Sequence, residues 1–150
     1  MRMKTFIKYI TLYIIYGGIY FAIECVYKQK LSDWRMFALA GFIGIAIGLI
    51  NNMFTFYTDF ILQCIVGMLI ATLSETIGGY YWNIQCGLNI WDYSSLPFTF
   101  VGRQINLFFM IAWMFLSGIC IIVDDILRWK LYKEESPKYY IHGKLIYDMQ

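Results

Sequence analysis

Residues 104–123 run without a single charge, and that fact excludes most of what so short a chain could become. A helix rises about 1.5 Å per residue, so this run measures roughly 30 Å, the hydrocarbon thickness of a bilayer. Residues 36–58 are also uncharged, as are residues 60–74 between Asp59 and Glu75. A fourth run, residues 9–23, reaches about twenty residues once its flanks are included. Four crossings are expected, which makes this an all-α polytopic integral membrane protein. Composition agrees. With 60% hydrophobic and 15% charged residues, a chain of 150 residues has too few charges to cover a water-soluble surface. A buried helical bundle inside a larger complex is the alternative with the same composition.

Several classes drop out early. The basic start, Arg2, Lys4 and Lys8, precedes an apolar run that continues through Tyr13, Tyr16 and Tyr20 to Glu24 with no small-residue cleavage site, so it reads as a retained helix. Cys25, Cys64 and Cys120 fall in or beside spans, only Cys86 lies in a loop, and no CxxC occurs, which argues against a disulfide framework. His142 is the sole histidine, so neither a metal nor a cofactor is expected. The net charge of +2 sits at membrane flanks, where it suits anionic headgroups and not nucleic acid.

Span one is placed at residues 5–26, where Gly17 offers a close approach to another helix. After a polar connection in which Ser32 or Asp33 can cap, span two covers residues 36–51. There Gly41, Gly44 and Gly48 line one face, the last two at GxxxG spacing. Span three runs from residue 56 or 59 to 77, and its Gly67, Ala71 and Thr72 lead toward Glu75 and Gly78. Residues 79–101 form the longest connection. Its Trp91, Tyr93 and other aromatics suit an interfacial cap between spans three and four. Span four covers residues 103–127, with Asn106, Met110 and Trp113 or Met114 on one face and Gly118 further along. Residues 1–133 thus make a transmembrane domain. Residues 134–150 make a short tail whose alternation around His142-Gly143 predicts a hairpin too small to stand without a partner.

Eight of the twelve Lys and Arg residues fall on the side of the termini, three before span one and five after span four, so both termini are expected in the cytoplasm. Four alternating spans bring Glu24, Arg35, Glu75, Asp92 and Arg103 to one membrane face. Charges at this depth are costly unless paired or hydrated. Glu75 is the best candidate for a functional acid, with Arg103 as its expected partner and Arg35 second. An ionic collar that fastens the helices and a ligand site fit this cluster equally well. For Asp92 there is a local alternative, an Asx turn closing on Ser94.

The pattern Glu75-Thr76-Ile77-Gly78, Trp91-Asp92-Tyr93-Ser94, Leu96-Pro97, Gly102, Gln104 and Trp113 resembles a family of small bacterial membrane proteins labelled putative ABC-transporter type IV permeases. The segment from Gly17 to Glu24 and residues 44–51 are similar to that family's first helices. The resemblance implies a multi-pass protein of the bacterial cell membrane. Thr99 stands where the family tends to have Asn, and Asn106 where it is usually apolar or Cys. With no Walker A sequence, ATP-driven transport would need a separate ATP-binding subunit.

Three functions are then in play. The first is a permease-like subunit, working as a homo-oligomer or with another membrane subunit, that recognises a lipid, small molecule or membrane protein around Glu75 and the WDYS turn. The second is a structural or regulatory interaction protein. The third is a lipid-active enzyme using Glu75 and Asp92, which lacks an evident nucleophile.

Overall fold

A computed structural model describes residues 2–149. The chain is mostly helical: α1 (Arg2–Lys28), α2 (Trp34–Gly48), a short α3 (Ile50–Met53), α4 (Phe60–Gly78) prolonged by a π-helical segment (Gly79–Gln85), and α5 (Leu107–Tyr132). Two small antiparallel hairpins complete it: β1 (Thr99–Phe100) with β2 (Ile105–Asn106), and β3 (Lys138–Ile141) with β4 (Lys144–Asp148). Three helices are long and apolar enough to cross a bilayer, residues 3–28, 60–85 and 107–132, whereas α2 is apolar but shorter.

α2, α4 and α5 each begin where a side chain can satisfy open N–H groups. Asp33 accepts from the Arg35 amide, Asp59 from those of Ile61 and Leu62, and Asn106 from that of Phe108. Asp33, not Ser32, is therefore the cap of α2. Asn106 lies ahead of α5, not on its face with Met110 and Trp113.

α1 pairs chiefly with α2 and α4 with α5, while α2 also touches α4 and α5. Ile43, Ile47, Ala71, Trp113 and Ile121 form the buried centre. Ile14, Leu69, Leu73, Phe115 and Ile119 remain exposed on the outside, as lipid-facing side chains do.

The glycines explain how the helices come so close. A Cβ on Gly44 would sit 2.5 Å from Tyr16, one on Gly17 2.7 Å from the Phe37 carbonyl, and one on Gly41 2.8 Å from the Tyr13 ring. A Cβ on Gly48 would sit 2.6 Å from Asp124 and one on Gly118 3.0 Å from Cys64, whereas one on Gly78 would meet Trp82 of its own next turn at 3.2 Å and Leu39 of α2 at 3.5 Å. Gly17, Gly41, Gly44 and Gly48 of α1 and α2 thus pack against residues of their own chain.

α2 ends three residues before the expected boundary at residue 51, and the cause lies on another helix. Arg128 donates from Nη2 to the Gly48 carbonyl at 3.0 Å. The Asn52 amide bonds the Leu49 carbonyl instead, and α3 starts as a separate turn. Arg128 also reaches Asp124 through Nε at 2.5 Å, and Asp124 accepts from the Tyr16 hydroxyl at 2.5 Å. Asp124, Asp125 and Arg128 are buried, and Asp124 and Arg128 tie α1, α2 and α5 together. They are not the hydrated flank expected of a helix exit.

The tail hairpin docks on its own chain. His142 and Gly143 both have positive φ, 49° and 75°, as a tight two-residue hairpin turn requires. Tyr139 lies against Phe60 and donates to Asp125 Oδ2 at 2.8 Å, and the His142 amide donates to Asp59 Oδ2 at 2.6 Å. Lys8 and Glu134 add an ion pair between α1 and the start of the tail.

Candidate functional site

At the opposite end of the bundle, α4 carries Glu75 into the interior with 4% of its surface exposed. The Tyr93 hydroxyl donates to Oε1 at 2.6 Å and the Trp113 indole N–H donates to Oε2 at 3.2 Å. Both donors are neutral. Among the described residues no Lys, Arg or His nitrogen pairs with this carboxyl.

Aromatic rings enclose the group. Tyr20 of α1 stacks on Trp113 with centroids 5.3 Å apart and planes 14° apart, and Tyr93 stacks on Phe109 at 4.6 Å. Tyr27 meets Phe109 edge-on at 6.4 Å. Burial first, then the Glu75 carboxylate, then Tyr20 and Glu24, hold the Tyr93 phenol far above its usual titration range. Glu75, Tyr20 and Glu24 therefore share one electrostatic neighbourhood around Tyr93.

The loop that delivers Tyr93 is built around two amides. Asn83, in the π-helical segment, accepts from the Ile90 amide at 2.6 Å and donates to the Trp91 carbonyl at 2.9 Å and to Gln104 Oε1 at 2.7 Å. Trp91 is buried and donates its indole N–H to the Gln104 carbonyl at 3.3 Å. A Cβ on Gly79 would come within 2.7 Å of Gln104, so glycine is what lets the loop settle onto α4. The wider helical turn beyond Gly78 is held by the Cys86 amide bonding the Tyr81 carbonyl, a spacing of five.

Thr99 and Asn106 close the structure on the other side. They are cross-strand partners, with Asn106 Nδ2 donating to Thr99 Oγ1 at 3.1 Å and to the Pro97 carbonyl at 2.7 Å. Thr99 in turn donates to the Tyr93 carbonyl at 2.9 Å. The two positions that the resemblance marks as departures from the family pattern thus bond each other. Three successive left-handed residues, Val101, Gly102 and Arg103 at φ of 49°, 59° and 72°, make the tip of this hairpin. Such backbone in a β-branched residue is strained and persists only where its surroundings fix it.

The other candidate residues find partners of their own. Glu24 bonds Lys28 at 2.7 Å and the Ser32 hydroxyl at 2.5 Å. Arg35 pairs with Asp33 at 2.9 Å and lies over the Trp34 ring. Asp92 accepts from the Ser94 amide at 2.8 Å and hydroxyl at 3.0 Å, the Asx turn. Arg103 is exposed and contributes its carbonyl, which accepts from the Tyr93 amide at 3.1 Å. The expected Glu75–Arg103 and Glu75–Arg35 pairs do not form. Two aromatic donors close enough to satisfy both carboxyl oxygens take their place. Nor does Asp92 join Glu75 as an acid/base pair, because its side chain is exposed and spent on its own turn.

Asn83 was not singled out by sequence. Asn83 carries a readable signal, a lone amide within the aromatic run of residues 80–82. Tyr20 had only the spacing of four to Glu24. Chemically, the site is a buried carboxyl that can take up a proton or a cationic group. Among the described residues no set of three metal-ligating side chains gathers.

No curated protein and no solved structure matches the chain. The family described as putative ABC-transporter type IV matches residues 9–142, nearly the whole chain, including α1, the WDYS loop and α5. The chain belongs to the putative ABC-transporter type IV family.

Proposed function

We propose that this protein is a four-pass subunit of a transporter in the bacterial cell membrane, with both termini in the cytoplasm, and that Glu75 and the WDYS loop recognise its cargo. The observation that carries this reading is a carboxyl with 4% exposure whose two partners, Tyr93 and Trp113, are both uncharged. A buried acid without a cation costs several kcal/mol unless it is protonated or meets one, and proteins keep such groups chiefly where they work. α2 supplies about 22 Å of apolar helix and α3 one further turn, and in this reading the two together make the fourth pass. The chain has no ATP-binding sequence, so energy comes from a separate ATP-binding subunit. Partner subunits or second copies meet outward faces of the bundle, since the glycines are occupied within it.

The test is purification of the full chain from its native membrane with associated proteins retained, followed by structure determination in lipid. Expected is an ATP-binding partner, and density for a ligand beside Glu75 that disappears with Glu75→Gln. A solitary chain that remains active, or activity untouched by Glu75→Gln, overturns the reading.

A further inference from the structure

Tyr139 fixes the depth at which the tail hairpin lies. Its ring meets Phe60, the first residue of the apolar helix that runs through to Gln85, and its hydroxyl bonds Asp125, two residues past the uncharged run that ends at Val123. Three residues on, the His142 amide bonds Asp59, the cap of α4. β3 therefore crosses from α5 to α4 at the level where both helices leave the hydrocarbon. From Asp125 to Tyr132, α5 continues for roughly 10 Å, which spans the headgroup layer of roughly 5–7 Å. The hairpin is thus set beside the lipid headgroups and not out in bulk water.

β4 is the strand turned away from the bundle. Tyr139 on β3 is 7% exposed, whereas the consecutive Leu145, Ile146 and Tyr147 on β4 are 50%, 59% and 56% exposed. Tyr139 stands opposite Tyr147 and Tyr140 opposite Leu145, so Ile146 is bulged and has no cross-strand partner. A bulged edge is a poor template for a further strand, which leaves these three side chains to lipid. Charge selects the lipid. Within residues 130–148, Lys138 is spent on Asp148 and Glu134 on Lys8. Lys130, Lys133 and Lys144 pair with no acid among the described residues, against one acid of that segment, Glu135, that pairs with no base.

We propose that the tail hairpin is a docking surface for anionic lipid, with Leu145, Ile146 and Tyr147 set into the headgroup layer and Lys144 on a lipid phosphate. This goes beyond cargo recognition and does not depend on Glu75. Tyrosine suits that layer because its ring is apolar while its hydroxyl stays wet. One lysine beside an anionic surface raises occupancy about fivefold.

The experiment uses the full chain, labelled at its isoleucine methyls, in nanodiscs of phosphatidylcholine alone or with a third of phosphatidylglycerol, read by NMR. A lipid carrying a nitroxide early in its acyl chain broadens methyls in the bilayer, and a soluble gadolinium chelate broadens those in water. Ile119, 58% exposed on the outside of α5, and Ile121, fully buried, are the internal references for lipid contact and for burial. Ile146→Leu identifies the Ile146 signal. Ile146 is expected to follow Ile119, broadened by the lipid nitroxide and shielded from the chelate, and more so with phosphatidylglycerol. Lys144→Gln is expected to lower the ratio of docked to undocked hairpin about fivefold in the phosphatidylglycerol discs and to change nothing in phosphatidylcholine alone.

An Ile146 methyl that the chelate reaches in both bilayers overturns the proposal and leaves the strand to a soluble protein partner. Lipid contact that is equal in the two bilayers and indifferent to Lys144→Gln overturns the choice of anionic lipid.

Discussion

The Tyr93 hydroxyl donates to Glu75 at 2.6 Å and so bolts the WDYS loop to the interior at one end of the bundle. Because a hydrogen bond to a charged acceptor contributes about 1.5–3 kcal/mol, Tyr93→Phe should destabilise the fold by that order. Glu75→Gln, which keeps an acceptor for one donor, should cost less. In a double-mutant cycle read by denaturant unfolding in detergent, the two substitutions should couple by more than about 0.5 kcal/mol. Additive effects would show that the bond contributes nothing to stability.

At the other end of the bundle, the pairing of Arg128 with Asp124 inverts the usual expectation for a helix exit. Both side chains are buried, and Arg128 also holds the carbonyl of Gly48. Removing one member leaves the other charged and unmatched, so Arg128→Met or Asp124→Leu alone should cost about 3–5 kcal/mol. The double substitution should cost clearly less than the sum. Reversible unfolding of the three variants decides it, and a double substitution costing the sum of the two single ones would deny the pair this role.

What could be read in the sequence divides along physical lines. The apolar runs are local, so the helices around residues 9–23, 60–74 and 104–123 were legible, and so was the tail hairpin from its alternation and its His142-Gly143 turn. The end of α2 was not, because it depends on a guanidinium eighty positions away. Glu75 stood out as an isolated acid, but its partners did not. An arginine is the obvious match for a carboxylate in a sequence, while Tyr93 and Trp113 pass for packing or interfacial residues until geometry aims their polar atoms. Of the five charges expected in one layer, Glu24 and Arg35 pair instead with Lys28 and Asp33, since neighbours in sequence reach each other first.

Gly44 and Gly18 separate close packing from mere flexibility. A methyl on Gly44 would lie 2.5 Å from the Tyr16 side chain, whereas one on Gly18 meets nothing nearer than 4.0 Å. Gly44→Ala must push α1 from α2 and should cost about 1–3 kcal/mol. Gly18→Ala should be neutral or stabilise by up to about 1 kcal/mol through its gain in helix propensity. Thermal unfolding of both variants in one detergent makes the comparison; equal losses would mean that the contact between Gly44 and Tyr16 is not tight.

Asp59 gives the tail hairpin a pH dependence whose sign can be worked out. Hydrogen bonds from the His142 amide, first, and from those of Leu62 and Ile61 hold its carboxyl below the ordinary value of 3.8. A group depressed on folding stabilises above its unfolded pKa and ceases to do so as pH falls through the folded one. The hairpin should therefore stay docked through neutral and mildly acidic pH and begin to loosen only below 3.8. Asp59→Asn should abolish that acid transition and raise amide exchange at residues 138–148 already at pH 7. Hydrogen exchange across the hairpin at neutral and low pH tests this, and protection that persists unchanged below the carboxyl's titration would show that Asp59 does not hold the tail.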